Sequence, residues 1–176
     1  MLEAIISLTI LAILGSITVS NLNHLATRTR DEALRTALVQ LLNHARRQAD
    51  ILQRPITLCK SADQQHCGGK WSDSLLLFVD DAEDGVVHET SQILSVTQQN
   101  LLRGELHARF FPVIREYMQF HPLVSAGQDN GSFWYCHEGA RLPVWAVVVN
   151  KVGGVRVVVP DGGGEIKDGK GNILYC

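Results

Sequence analysis

The sequence predicts an α+β fold in which one long N-terminal helix packs on antiparallel β-sheet. Three observations carry that expectation. No proline occurs before Pro55, so the residue type most disruptive to a helix is missing from the first third of the chain. Within that stretch, an apolar run from Ala4 to Val19 is followed by apolar residues recurring every three or four positions, the spacing of one helical face. Beyond Pro55, runs rich in Val, Ile and aromatic residues alternate with Gly- and Asp-containing turns, which is strand and turn chemistry. Strands that follow a single helix place the chain in the α+β class.

The helix comes first. Roughly 20 apolar residues at 1.5 Å each span the hydrocarbon core of a bilayer, and the run from Ala4, with no charge after Glu3 until Arg28, meets that length. A carboxylate within a membrane costs about 2.5 to 3.5 kcal/mol on insertion scales, so Glu3 at the start of the run calls for a partner. A cleavable secretory signal fits poorly, because no basic residue precedes the run and secretory cores are shorter. Downstream, Leu34, Leu38, Leu41, Ala45, Ala49 and Leu52 share one face, whereas Arg35, Arg46, Arg47 and Asp50 fall mostly elsewhere. One helix from Leu2 to about Gln53 is expected, with Pro55 stopping it and biasing Arg54 away from helical geometry. Its halves need different surroundings. Residues 1–27 read as a transmembrane or filament-core segment and 28–176 as a globular domain, made of an amphipathic helix half over 28–53 and a β-rich part over 55–176.

The β-rich part reads in order as follows. Ile56 to Cys59 is a short strand, and a polar loop then leads to Cys67, Gly68 and Gly69. Leu75 to Val79 is a continuous apolar run suited to a buried strand. The turn from Asp80 to Gly85 has Ala82 at the third ligand position of a calcium-loop pattern, so it reads as a solvated acidic turn. Residues 86–105 have no clean period and are expected to mix strand and loop. Leu106 to Phe111 and Tyr117 to Phe120 read as strands kept near edges or ends by Pro112 and Pro122. Ser125 to Gly131 is a turn, and Ser132 to Cys136 is a strand. Val144 to Val149 and Val155 to Val159 form a hairpin across Asn150 to Gly154. A glycine-rich loop follows Pro160, with Ile173 to Tyr175 as a terminal strand.

Charge and cysteine content narrow the chemistry. The net charge of −2 is uneven: residues 28–54 hold six arginines against three acids, whereas 55–176 hold ten Lys and Arg against fourteen acids. An acidic body disfavours broad nucleic-acid binding, which rests on phosphate neutralisation. Cys59, Cys67, Cys136 and Cys176 form no CxxC pair and follow no zinc spacing. An exported domain with an even number of cysteines favours disulfides. Of the three connectivities, Cys59 with Cys67 and Cys136 with Cys176 is preferred, because the first closes a short polar loop and the second pins the last residue. Four free thiols remain the alternative.

The sequence also carries a family resemblance. Leu2-Glu3-Ala4-Ile5-Ile6-Ser7-Leu8 and the run behind it resemble the mature N-terminus of type IV pilins and type II secretion pseudopilins. Arg54-Pro55-Ile56-Thr57-Leu58-Cys59, Leu77-Phe78-Val79-Asp80 after Trp71, and the block from Phe120 through Gly131 to Cys136 resemble, in the same order, segments of FimT, FimU and GspH proteins. The resemblance implies a type IV pilin-like fold and a structural role. A minor pilin of this kind is held in the inner membrane with a periplasmic domain. It is then incorporated at or near the pilus tip, priming assembly with other minor pilins and the major pilin. A minor pseudopilin of type II secretion is the alternative. Glu3 becomes an assembly residue paired with a neighbouring subunit's terminal amine. The resemblance also implies a full-length precursor cut by prepilin peptidase, with Met1 as its third mature residue.

DNA binding is a further alternative that the resemblance brings. Some FimT-type pilins carry a Gly-Arg-x-Arg segment associated with DNA uptake, and the corresponding residues here are Gly153-Gly154-Val155-Arg156. One arginine is therefore replaced by Gly154, leaving Arg156 and nearby Lys151 as the DNA-binding candidates. Catalysis is not expected: Cys136 and His137 are adjacent on a strand and point to opposite faces. The seven histidines show no metal-ligand spacing, so neither a metal nor a cofactor is expected. Trp71, Trp134 and Trp145 read as core residues.

Overall fold

A computed structural model describes residues 2–98, 104–111, 115–122, 129–168 and 171–176, and within residues 2–24 the side chains of Glu3, Ile6 and Ser7 alone. The order of elements is α1 (Leu2–Leu52), β1 (Ile56–Ser61), β2 (Ser74–Val79), β3 (Ile93–Gln98), β4 (Gly104–Phe111), β5 (Tyr117–Phe120), β6 (Asn130–His137), β7 (Trp145–Val149) and β8 (Val155–Val158). The chain divides into two compact units, Met1–Thr36 and Ala37–Cys176.

Polar residues inside α1 bond back to the preceding turn rather than breaking it. Thr36 Oγ1 donates to the Glu32 carbonyl at 2.7 Å and Asn43 Nδ2 to the Val39 carbonyl at 2.9 Å, each sharing a carbonyl four residues back with the helix ladder. The helix ends at Gln53, whose φ of 53° is left-handed, one residue before Arg54 and Pro55. The transmembrane expectation for residues 1–27 rests mainly on side chains that lie outside the described residues. Among the described residues, no helix is long and apolar enough to cross a membrane.

In the second unit the helix supplies Leu38, Leu41, Leu42, Ala45 and Ala49 to the core, all buried, and packs on two antiparallel four-stranded sheets. The three leucines contribute about 1.5–3 kcal/mol each by burial. The first sheet has the order β3-β2-β1-β5 and the second β4-β6-β7-β8. β2 is buried at every position, which accounts for the unbroken apolar run from Leu75.

In the first sheet, Asp80 lies at the end of β2 and is 2% exposed. Its carboxylate accepts from Thr57 Oγ1 at 2.7 Å, Gln119 Nε2 at 3.1 Å and the Gly85 amide at 2.9 Å. One carboxylate therefore joins β1, β5 and the acidic turn, and the buried polar groups find the partners that burial demands. In the second sheet the corresponding centre is apolar. Trp71 meets Phe110 and Phe133 edge-on at 5.4 and 5.3 Å, and those two rings meet at 5.3 Å. A Cβ on Gly131 would sit 2.5 Å from both the Arg109 carbonyl and the Phe110 ring, so only glycine lets β6 approach β4 there. On another face of this sheet, Ile166 and Leu174 pack against Trp134, Cys136, Ala146 and Val158. The residues after Pro160 thus form a strap across the sheet.

Several boundaries differ from the sequence expectation. β3 occupies Ile93–Gln98, inside the stretch that lacked a clean period. It is an edge strand with no buried position, so burial imposes little pattern on it. β6 begins at Asn130, inside the turn expected over Ser125 to Gly131; residues 125–128 of that turn lie outside the described residues. Ile173 makes a single bridge to Lys167 instead of a strand, where the strap folds back on itself through the Asp168–Asn172 and Ile166–Leu174 main-chain bonds.

Candidate functional site

Glu3 lies exposed in the first turn of α1, where a carboxylate is favoured by the positive end of the helix dipole. Its carbonyl accepts a bond from Ser7 Oγ at 2.9 Å, a contact that leaves the carboxylate itself uncommitted to that serine.

Cys59 is bonded to Cys67 (S–S 2.03 Å) and Cys136 to Cys176 (2.12 Å). The first bond closes the polar loop after β1. Within that loop Asp63 accepts from the His66 ring at 2.7 Å and from the Gln65 and His66 amides. The His66 bond, then those amides, hold its carboxyl well below the usual carboxylate range. The second bond ties the chain's last residue to β6. Beside it, Trp134 Nε1 donates to the Tyr175 carbonyl at 3.0 Å, and the Cys176 amide donates to the Arg141 carbonyl at 3.2 Å. With Cys136 committed to a disulfide, the Cys136-His137 pair offers no thiolate nucleophile.

The acidic turn after β2 is held by ion pairs. Arg54 pairs with Asp81 through two bonds, and His88 reaches Asp84 at 2.9 Å. The Arg54 and His88 bonds, respectively, lower the Asp81 and Asp84 carboxyls. These side chains are engaged with neighbours rather than converging on a cation, and no metal-ligating group of three or more occurs among the described residues.

The β7–β8 turn gathers the DNA-binding candidates. Asn150 Oδ1 accepts from the Val152 and Gly154 amides at 3.1 and 2.7 Å, while Gly153 takes a φ of 74° that a side chain would resist. Lys151 and Arg156 line one open groove of about 680 Å³ with Asn130, Val148, Val152 and Val155. Arg46 of α1, which the sequence reading left among the helix's polar residues, reaches this turn from another side. Its guanidinium would lie about 3.1 Å from a Cβ placed on Gly153. Sequence spacing has no means of pairing positions 46 and 153. The buried contact of Asp80 with Thr57 and Gln119 was equally absent from the candidates; its only sequence signal is a polar Thr57 inside an apolar strand.

The profile of the family described as "Type II transport protein GspH" matches residues 34–153. Among solved structures, the type IV minor pilin FimU of Pseudomonas aeruginosa is similar in two crystal forms. One has 16% identity and a TM-score of 0.51, covering 72% of this chain and 87% of that one. The other has 17% identity and a TM-score of 0.50, covering 72% and 91%. No curated protein matches the chain. The FimU likeness establishes a shared type IV pilin fold, a helix on antiparallel sheets. Because the family profile spans well over half of its residues, the chain belongs to the GspH family, the group of FimT-, FimU- and GspH-like minor pilins and pseudopilins.

Proposed function

We propose that this chain is a structural, non-catalytic minor pilin, held in the inner membrane with its β-rich unit in the periplasm and incorporated at or near the tip of a type IV pilus. The observation that carries the reading is Glu3, exposed in the first turn of a 51-residue helix ahead of a domain of the GspH family. The apolar first half of that helix parks in the bilayer and then joins a bundle of helices in the filament. There Glu3 sets the register by pairing with a neighbouring subunit's terminal amine. The partners are other minor pilins and the major pilin, after prepilin peptidase has acted on the precursor.

A minor pseudopilin of type II secretion uses the same helix and the same pairing, and the wording of the matching family, a type II transport protein, favours that second reading. A DNA-binding role rests on Lys151 and Arg156 at one groove. With two or three phosphate contacts it would be weak and strongly salt-dependent.

Glu3→Ala tests assembly. The variant should remain in the membrane fraction and disappear from sheared filaments; incorporation at the wild-type level overturns the proposal.

A further inference from the structure

β8 is the outermost strand of its sheet, and its pairing with β7 shows which main-chain groups it leaves open. The Asn150 amide donates to the Gly154 carbonyl at 3.0 Å, and Val148 lies opposite Arg156, Val147 opposite Val157. Bonded and non-bonded pairs alternate along an antiparallel ladder. Gly154, Arg156 and Val158 therefore bond to β7, whereas the N–H and C=O groups of Val155 and Val157 point away from the sheet. Among the described residues nothing pairs with them.

Natural edge strands are commonly blunted by charge, proline or cover. β8 is blunted only in part. Val157 is 43% exposed, Val159 just beyond the strand 56%, and Val152 in the turn before it 68%. Arg156 and Lys151 are exposed, and among the described residues no carboxylate pairs with either. Side chains on a strand alternate between faces, so the edge presents Arg156 on one face and Val155 and Val157 on the other. A partner strand laid beside it meets a cation on one side and valines on the other.

We propose that the β8 edge docks an extended segment of another protein by strand addition, and that this segment alternates acidic and apolar side chains. Outward main-chain groups supply the bonds and the side chains supply selectivity, as in other strand-addition complexes. The acids face Arg156 and Lys151; the apolar residues cover Val155 and Val157. A nucleic acid would use the cations alone, leaving four main-chain groups and three exposed valines without a role. A second copy of β8 would bring valine and arginine but no acid. The inference is independent of whether the filament is a pilus or a secretion pseudopilus.

The test uses the full chain in detergent micelles, labelled with 15N-valine and titrated with three probes: an octapeptide alternating valine and glutamate, its valine–lysine counterpart, and a thymidine octamer. The acidic peptide should shift the Val155 and Val157 amide signals and slow their hydrogen exchange, and the lysine peptide should do neither. Val157→Pro removes an outward donor without touching a ladder bond, so the hairpin should keep its Val147 and Val149 signals while peptide binding, read at Val155, is lost. Arg156→Glu should weaken acidic-peptide binding by about fivefold. No shift at millimolar acidic peptide, equal binding of the lysine peptide, binding that survives Val157→Pro, or binding of the thymidine octamer alone would each overturn the proposal.

Discussion

The two sheets solve the same problem with opposite chemistry. The first is centred on a buried carboxylate, Asp80, which satisfies Thr57, Gln119 and the Gly85 amide together. The second is centred on the rings of Trp71, Phe110 and Phe133 and strapped on another face by a segment pinned through Cys136–Cys176. Hydrogen bonds are directional, so the polar centre specifies which strands meet and in what register. Apolar packing is not directional, and a chain end lying across it gains from a covalent pin.

The largest expected effects break the two centres themselves. Asp80→Ala leaves three buried donors unpartnered, at about 1–3 kcal/mol each, so the denaturant midpoint should fall by the equivalent of about 4 kcal/mol. Phe133→Ala should cost about as much, 3–5 kcal/mol for a buried Phe. The conservative variants separate the mechanisms. Phe133→Leu should recover most of its loss, because volume is what that site needs. Asp80→Asn should recover only part, since an amide puts a donor where the site presents only donors. Equal recovery in both would show that the two centres work alike.

A smaller effect compares the two disulfides. Their bonded cysteines are 40 and 8 residues apart in sequence. The chain-entropy model scales with the logarithm of loop length, so removing Cys136–Cys176 should destabilise by about 1.4 kcal/mol more than removing Cys59–Cys67. Paired serine substitutions followed by denaturant unfolding check this, and an equal loss from each would sink the entropic account.

The smallest effect is a pH slope. Asp63 binds its proton less readily folded than unfolded, so its contribution is present above the ordinary carboxylate range and lost as pH falls through the lower folded value. Asp63→Asn should lower the neutral stability slightly and flatten the acid limb of the stability curve below about pH 4 by that same small amount, small because the loop is exposed and solvent screens the interaction. An acid limb identical to that of the wild type would remove Asp63 from this role.

Legibility in the sequence followed the strength of the local pattern. α1 was readable because Pro55 ends a long stretch free of proline, and β2 because Leu75 to Val79 admits no water on either face. β3 was nearly invisible: its edge position leaves Leu94 and Val96 37% and 38% exposed, so neither a buried run nor a clean polar face develops. The hairpin of β7 and β8 stood out through its valines. That β8 is outermost, and which of its main-chain groups remain open, was not readable, because strand order is not a local property.

The sequence by itself determined the helix, its early carboxylate, the change from helical to strand periodicity at Pro55 and the set of cysteines available for bonding, all of which follow from neighbours along the chain. The tertiary structure alone decided that Asp80 answers Thr57 and Gln119, that Arg46 reaches Gly153, and that the strap from Pro160 lies over Trp134. Each of these joins residues more than twenty positions apart, and such contacts depend on how the sheets are ordered and packed, which no window of sequence contains.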